Sequence, residues 1–360
     1  MKILFTIASL GPGGAERVLT TLSNYWSKEH EVIIIKSGND DSFYYLNDDV
    51  ILESLNMHQE NYHLVDKVLH NFKIVQAMRA SIKKHNPSIV ISFADRTNIY
   101  AILATLFLST KLIISERINY TFLQNQLWRL LRRVLYPFSD GLVVLSKYDY
   151  QKYTYVKRKK IIFNPTNLNQ IKLGNEFDKE KVILAVGRLV DIKGFDILLS
   201  ALSNIDKKLL KGWKVYIIGE GIEKNKLIDF ATELDIGDKI EFLGQKKDIV
   251  DYYKKSSIFV SSSKAEGFPN ALAEAFSCGC ACVATDCLTG PSEIIQDGVN
   301  GFLVKVDDID MLQKKIEELI CNDILREKYS RHAIASSKRF NIDCIAKEWE
   351  VFISEVIDAK

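Results

Sequence analysis

Arg188 and Lys193 in VGRLVDIKGFD, and Glu266 and Glu274 in EGFPNALAEAF, are four charged residues whose types and spacing suit one chemistry. A guanidinium forks onto phosphate oxygens, and an ammonium acts beside it as a compact charge. Placed after a strand, the two cations can converge on one anion and stabilise a leaving diphosphate without a metal ion. The acids must do something else. An ionised carboxylate only accepts hydrogen bonds, so its partners in such a site are hydroxyls. A ribose diol fits Glu274, about one turn inside a helix, and sugar hydroxyls fit Glu266. Between them, Gly267 allows close backbone approach and Pro269 suits a first helical position. The amides near Phe268, Asn270 and Ala271, through Ala273, are then free to receive phosphate.

A second phosphate-binding candidate is SLGPGGAERV near the N-terminus, which follows a strand and opens a helix. Gly13 and Gly14 let the backbone approach a diphosphate or an acceptor. The run is neither G-x-G-x-x-G nor G-x-x-x-x-G-K-[ST], which weighs against a nicotinamide enzyme and a P-loop NTPase. Asp308-Ile-Asp310 matches a short D-x-D pattern but stands where a helix begins, so capping is its expected role. Gly219-Glu220-Gly221 reads as a tight turn. Cys278, Cys280 and Cys282 fall at a helix-to-strand join without a second ligand cluster, and the histidines show no H-E-x-x-H spacing. No metal and no cofactor are expected.

These residues need strand ends to hold them. KILFTI, EVIIIKS, PSIVISF, KLIIS, GLVVLS and KIIFN alternate with helical segments, and a second cycle runs through KVILAVGRL, KVYIIGEG, KIEFLG, SIFVSSS, ACVATD and GFLV. The alternation predicts an α/β protein with two doubly wound, Rossmann-like domains facing across a cleft. The expected divisions are a first Rossmann-like domain over 1–165, a linker over 166–179, a second Rossmann-like domain over 180–340, and a C-terminal helix over 341–360 that can pack back on the first domain. From Tyr62 to Lys84 a helix carries Val65, Val68, Leu69, Phe72, Val75, Met78 and Ile82 at helical spacing, with cations mostly off that stripe. It reads as a surface helix with a solvated face, or as a basic rail for a phosphorylated lipid. LWRLLRRVLYPF, Leu127 to Phe138, with YVKRKK at Tyr155 to Lys160, reads as peripheral contact with an anionic membrane, or as a core helix with a basic outer side.

Composition sets the bounds. A chain of 360 residues, 47% hydrophobic, buries two cores, and a net charge of +2 argues against a dedicated nucleic-acid binder. The charge is uneven: residues 1–164 hold 21 Lys+Arg against 14 Asp+Glu, the basic half of the chain. The six cysteines lack a disulfide spacing and read as reduced cytosolic thiols. No signal peptide is apparent, and the longest apolar run, Ile99 to Leu108, falls short of the about 20 residues a spanning helix needs.

Taken together, Gly13-Gly14-x-Glu16, G-R-L-x4-G with Arg188 and Lys193, and E-x7-E from Glu266 to Glu274 resemble family 4 glycosyltransferases over essentially the whole chain. The resemblance implies a GT-B fold and metal-independent, retaining sugar transfer from a nucleotide donor. It assigns Arg188 and Lys193 to the donor diphosphate, Glu274 to the ribose and Glu266 to the donor sugar. Gly267 to Asn270 would supply backbone contacts, and the strand end at Gly244 would frame the base. LIISE, WRLLRRVLYPFSD and SFADRTN are similar to N-acetylgalactosaminyltransferases that extend undecaprenyl-diphosphate-linked glycans. This likeness implies a UDP-sugar donor bound by the domain over 180–340, a lipid-linked glycan acceptor bound by the domain over 1–165, and a peripheral place on the inner membrane. It makes Glu16, Lys67, Lys73, Arg79, Lys83 and Asp95 acceptor candidates. Arg117 stands where many of these enzymes have a histidine on the donor sugar. A sugar-nucleotide epimerase of the same fold and a non-catalytic sugar-nucleotide binder are the rival readings.

Overall fold

A computed structural model describes residues 1–57, 64–166, 179–246 and 248–359. The chain forms two compact units: residues 1–165 with 342–360, and residues 166–341. Most of the segment expected to be a linker, 167–178, lies outside the described residues, as does Tyr62.

The first unit runs β1 (Lys2–Ile7), α1 (Gly14–Trp26), β2 (Glu31–Lys36), β3 (Ile51–Ser54), α2 (Leu64–His85), β4 (Ile89–Phe93), α3 (Asp95–Thr105), β5 (Lys111–Ser115), α4 (Gln126–Leu135), β6 (Gly141–Val144), α5 (Lys147–Lys152) and β7 (Lys159–Ile161). The second runs β8 (Glu180–Val186), α6 (Phe195–Ser203), β9 (Lys214–Ile218), α7 (Lys224–Glu233), β10 (Ile240–Gly244), α8 (Ile249–Lys255), β11 (Ser256–Ser261), α9 (Asn270–Ser277), β12 (Ala281–Thr285), α10 (Pro291–Ile294), β13 (Phe302–Val304), α11 (Ile309–Cys321) and α12 (Asp323–Ser337). Helix α13 (Ile342–Ile357) returns to the first unit.

Both sheets are parallel, ordered β3-β2-β1-β4-β5-β6-β7 and β10-β9-β8-β11-β12-β13. Their central strands are buried on both faces, which is why VIII, IVISF and ACVAT read as unbroken apolar runs rather than alternating ones. In each sheet the strand order reverses beside its first strand. The loops leaving β1 and β4, and those leaving β8 and β11, therefore diverge at a switch point, where open α/β sheets hold ligands. The structure adds β3, a strand the sequence pattern did not mark. It is a half-exposed edge strand reading ILES, too short and too polar to register as an apolar run.

Helix α13 completes the first core. Ile345, Ala346, Trp349, Phe352, Ile353 and Val356 are buried along one face at helical spacing. The Trp349 ring stacks on Phe93 at 6.4 Å and meets Trp26 edge-on at 6.5 Å, while Trp26 Nε1 donates to Glu350 Oε1 at 2.9 Å. The α2 stripe is less regular than its spacing suggests. Met78 and Ile82 are buried, but Val68, Leu69 and Phe72 project into solvent.

Trp349→Ala should lower the free energy of unfolding of the first unit by roughly 3–5 kcal/mol, as for other buried aromatic truncations. Urea denaturation followed by Trp fluorescence and circular dichroism tests this, and a change below about 1 kcal/mol would contradict the packing role of α13.

Candidate functional site

At the switch point of the second unit, two loops are sewn together by backbone and charge. The loop after β8 carries Arg188, then a 3₁₀ turn over Asp191–Lys193, then Gly194 at φ +60°. A β-carbon on Gly194 would stand 2.1 Å from the Ser262 carbonyl oxygen, so only glycine lets this loop lie against the end of β11. The Lys264 amide donates to the Ile192 carbonyl at 2.9 Å, and Ser262 Oγ to the Lys193 carbonyl at 3.3 Å. Lys264 Nζ then bridges Asp191 at 2.7 Å and Asp196 at 3.5 Å. From the other side the Gly219 turn presses in, where a β-carbon would meet the Gly187 carbonyl at 1.8 Å.

Inside this seam Lys193 Nζ donates to Glu266 Oε1 at 2.5 Å, and Ser263 Oγ donates to the same oxygen at 2.7 Å. Glu266 is buried, and its carbonyl accepts from Thr289 Oγ1. Thr285 Oγ1 fixes the Ser263 carbonyl at 2.5 Å. Ser263, Thr285 and Thr289 were missed in the sequence, since hydroxyl residues in and just after strands carry no spacing signal. Lys193, assigned from spacing to phosphate alone, is thus held by the carboxylate assigned to the sugar. Arg188 is exposed at the end of β8 and makes no ion pair among the described residues.

The start of α9 offers fewer amides than its sequence implied. The Asn270 amide donates to the Phe268 carbonyl at 3.0 Å, and those of Leu272 and Ala273 to the Pro269 carbonyl at 3.0 and 3.1 Å. These tight local bonds follow from Pro269 capping the helix in a non-helical conformation. Gly267 and Ala271 are partly exposed. The Phe268 side chain turns inward, edge-on to Phe340 at 5.8 Å, so only its backbone is available to a ligand. Glu274 lies on α9, also buried. Gly244 ends β10 at φ +68° beside the Glu220 carboxylate, which accepts from Lys224 at 2.7 Å. Asp308 caps α11 by accepting from the Met311 amide at 3.0 Å, as its position suggested.

In the first unit, the loop after β1 brings Gly13, Gly14 and Glu16 to the switch point, and Asp95 opens α3 after β4. The Glu16 carboxylate folds back over the Gly13 α-carbon, within 2.0 Å of where a β-carbon would be. Lys67 and Lys73 are exposed on α2. Arg79 is committed elsewhere: its Nη1 donates to the Ala104 and Leu106 carbonyls at 2.9 and 2.7 Å and caps α3. Arg117 is turned inward, its guanidinium 4.4 Å from the Phe93 ring and 5.6 Å from Trp349, with Nη1 donating to Asn164 Oδ1 at 2.6 Å. Burial brings its pKa down to about 9. Beside it sits a group the sequence reading passed over. Glu116 is wholly buried, accepts from Tyr136 Oη, and lies 3.4 Å from Asn98 Nδ2. Burial pushes its carboxyl up to about 7.

The family profile described as "Glycosyltransferase Family 4" matches residues 12–168, and that described as "Glycosyl transferases group 1" matches residues 168–336. Over 361 residues, 100% of both chains, the sequence is 37% identical to the Campylobacter jejuni GalNAc-alpha-(1->4)-GalNAc-alpha-(1->3)-diNAcBac-PP-undecaprenol alpha-1,4-N-acetyl-D-galactosaminyltransferase. The chain belongs to glycosyltransferase family 4. This glycosyltransferase, an enzyme of the hexosyltransferase class, is also 27% identical to the amylovoran biosynthesis glycosyltransferase AmsD of Erwinia amylovora, across 97% of this chain and 98% of that one. Its fold is that of the Anabaena protein HepE solved in complex with UDP, with a TM-score of 0.80 at 19% identity over 99% of this chain and 100% of that one. Two parallel α/β sheets of seven and six strands give the glycosyltransferase its GT-B class.

Two outcomes follow from this geometry. Because the folded-state pKa of Glu116 lies above the ordinary 4.5, its contribution to stability is fully present below that pH and is lost as pH climbs through about 7. Glu116→Gln should therefore be more stable relative to the parent at pH 8 than at pH 5, as read by paired urea titrations. A difference independent of pH would show that the carboxyl does not titrate in that window. Gly194→Ala should reduce turnover at least tenfold, with a fall in melting temperature of several degrees, because the Lys193 loop must move off Ser262. Unchanged kinetics would dissociate that close approach from the site.

Proposed function

We propose that the glycosyltransferase moves a hexose or N-acetylhexosamine from a UDP-sugar, with retention of anomeric configuration, to a polyprenyl-diphosphate-linked glycan at the cytoplasmic face of the inner membrane. The product would feed a cell-surface polysaccharide, such as O-antigen or capsule, or an N-glycan. The observation that carries this reading is the seam at the second unit's switch point, where Lys193 and Glu266 are locked together beside exposed Arg188. The relatives supply the substrate classes: one is named for transfer to an undecaprenol-diphosphate glycan, and the structural neighbour was solved with UDP.

In this reading Arg188 and Lys193 face the donor diphosphate, and Glu274 takes the ribose hydroxyls. Glu266 both holds the Lys193 ammonium and accepts from the donor sugar. Gly267 and Ala271 approach the donor through their backbone, and Gly244 lies beside the base. On the first unit, Gly13 and Gly14 let the backbone approach the donor diphosphate or the acceptor, Glu16 and Asp95 meet the acceptor sugar, and Lys67 and Lys73 its diphosphate. The bond from the sugar's anomeric carbon to the β-phosphate oxygen breaks, and the acceptor hydroxyl oxygen bonds to that carbon. Its proton passes to the departing phosphate oxygen, and UDP leaves. Negative charge grows on the diphosphate as the bond lengthens, so a fixed cation there stabilises the transition state more than the ground state.

Arg188→Ala should lower kcat by about 10²–10³-fold with a smaller change in KM, matching the loss of one preorganised charge stabiliser. Mass spectrometry of UDP-sugars screened against synthetic polyprenyl-diphosphate glycans would identify the pair. A donor converted to its epimer without acceptor, or an Arg188→Ala enzyme at full rate, would overturn the assignment.

A further inference from the structure

We propose that the loop joining β2 to β3 in the first unit is a stacking platform for a pyranose ring of the acceptor glycan. This rests on the reading of the chain as a transferase onto a lipid-linked glycan, and it names a subsite for that acceptor. The loop carries three aromatic residues in a row, Phe43, Tyr44 and Tyr45. Phe43 and Tyr45 are 46% and 76% exposed. Polar anchors hold them there. At the near end, the Ser37 and Gly38 amides each donate to the Ala8 carbonyl at 3.2 Å, and the Phe43 amide donates to the Leu10 carbonyl at 2.9 Å. At the far end, Asn24 Nδ2 donates to the Tyr45 carbonyl at 2.9 Å, and the Asn47 amide to Asn24 Oδ1 at 2.8 Å. Between the anchors Leu46 packs on the first core, and the Tyr44 ring meets Phe43 edge-on at 5.1 Å. A loop tied down at both ends loses little further freedom when a ligand arrives.

Position and charge select the occupant. Ala8 and Leu10 lead into the glycine loop that opens α1. A β-carbon on Gly11 would meet nothing within 4 Å, so the space beside that loop is open. Asn24 lies on α1 about 15 Å from Gly14, at 1.5 Å per residue. The platform therefore starts beside the glycine loop, at Phe43, and runs outward along α1 to Tyr45. A pyranose ring offers a face of polarised C–H groups to an aromatic π-cloud, and a rim of hydroxyls to acceptors. Both partners are present. Asp40, Asp41, Asp48 and Asp49 are exposed around the rings, and residues 37–50 contain no Lys, Arg or His. Carboxylates accept from hydroxyls. The same charge repels phosphate and anionic headgroups, so this surface suits the sugars of the acceptor and not its diphosphate. A two-fold contact with a second copy would set acid against acid.

The test is saturation-transfer difference NMR on the full chain, without sugar donor or polyprenyl lipid. The probes are the methyl glycosides of glucose, galactose, N-acetylglucosamine and N-acetylgalactosamine. At least one should receive saturation on its ring C–H protons. Phe43→Ala/Tyr45→Ala should weaken that signal about tenfold, whereas Tyr45→Phe, which keeps the ring, should retain it. Unchanged circular dichroism melting curves establish that the variants fold. With an acceptor from the mass-spectrometric screen, the double variant should raise the acceptor KM about tenfold and leave the donor KM unchanged. The proposal is overturned if the parent saturates no glycoside, if the double variant keeps the parent's signal, or if the donor KM rises in place of the acceptor KM. It is equally overturned if light scattering finds a parent dimer that the double substitution dissolves. A chain that binds glycosides through these rings but transfers no sugar would refute the proposed reaction and leave a saccharide site here.

Discussion

The ion pair between half-buried Lys193 and buried Glu266 is the contact on which the rest of the second unit's site depends. A carboxylate removed from water is costly without a partner, and here an ammonium and the Ser263 hydroxyl share one of its oxygens. The partners arrive on separate loops, one leaving β8 and the other β11. The loops meet only because the strand order places β8 beside β11 and Gly194 lets backbone touch backbone. Charge alone would not fix this register. The hydrogen bond from the Lys264 amide to the Ile192 carbonyl, with the Lys264–Asp191 bridge outside it, repeats the connection at a second point and limits sliding of one loop past the other. The cation in the pair and the cation outside it are consequently unlike. Lys193 is positioned, whereas Arg188 remains exposed.

Much of the architecture was legible because parallel, two-sided burial writes itself as apolar runs. KILFTI, KLIIS, KVILAV and ACVAT all fall on observed strands. What escaped was either edge structure or pairing. β3 is short and half exposed, so no buried face shaped its sequence. The charged residues of the second unit were recognisable by type, but not that Lys193 and Glu266 hold one another, which spacing along a chain cannot state. The α9 amides were overcounted because a proline at the helix start was read as leaving donors free, when the chain instead curls to satisfy several of them locally. Arg79 and Arg117 show the converse. The resemblance offers Arg79 to the acceptor and Arg117 to the donor sugar, but one caps α3 and the other lies against two aromatic rings.

The α2 and α4 patterns show where periodicity is insufficient. Helical spacing of apolar residues indicates an amphipathic helix but not which face meets the protein. On α4 two neighbouring stripes are apolar, and only the Trp128 side packs inward. Tyr100 decides the matter by filling the space against that tryptophan, leaving Leu127 and Leu130 outside. On α2 the apolar stripe changes role along its length, from solvent-facing at Val68 to core at Met78 and Ile82.

The return of α13 makes the first unit discontinuous in sequence while the second is continuous. During synthesis, therefore, the half of the chain that leaves the ribosome first cannot finish its own core. The surfaces of Trp26 and Phe93 that receive Trp349 stay uncovered until the last helix is made. The second unit has every strand it needs before α13 emerges. Its assembly can precede completion of the first, so the order of folding need not follow the order of translation.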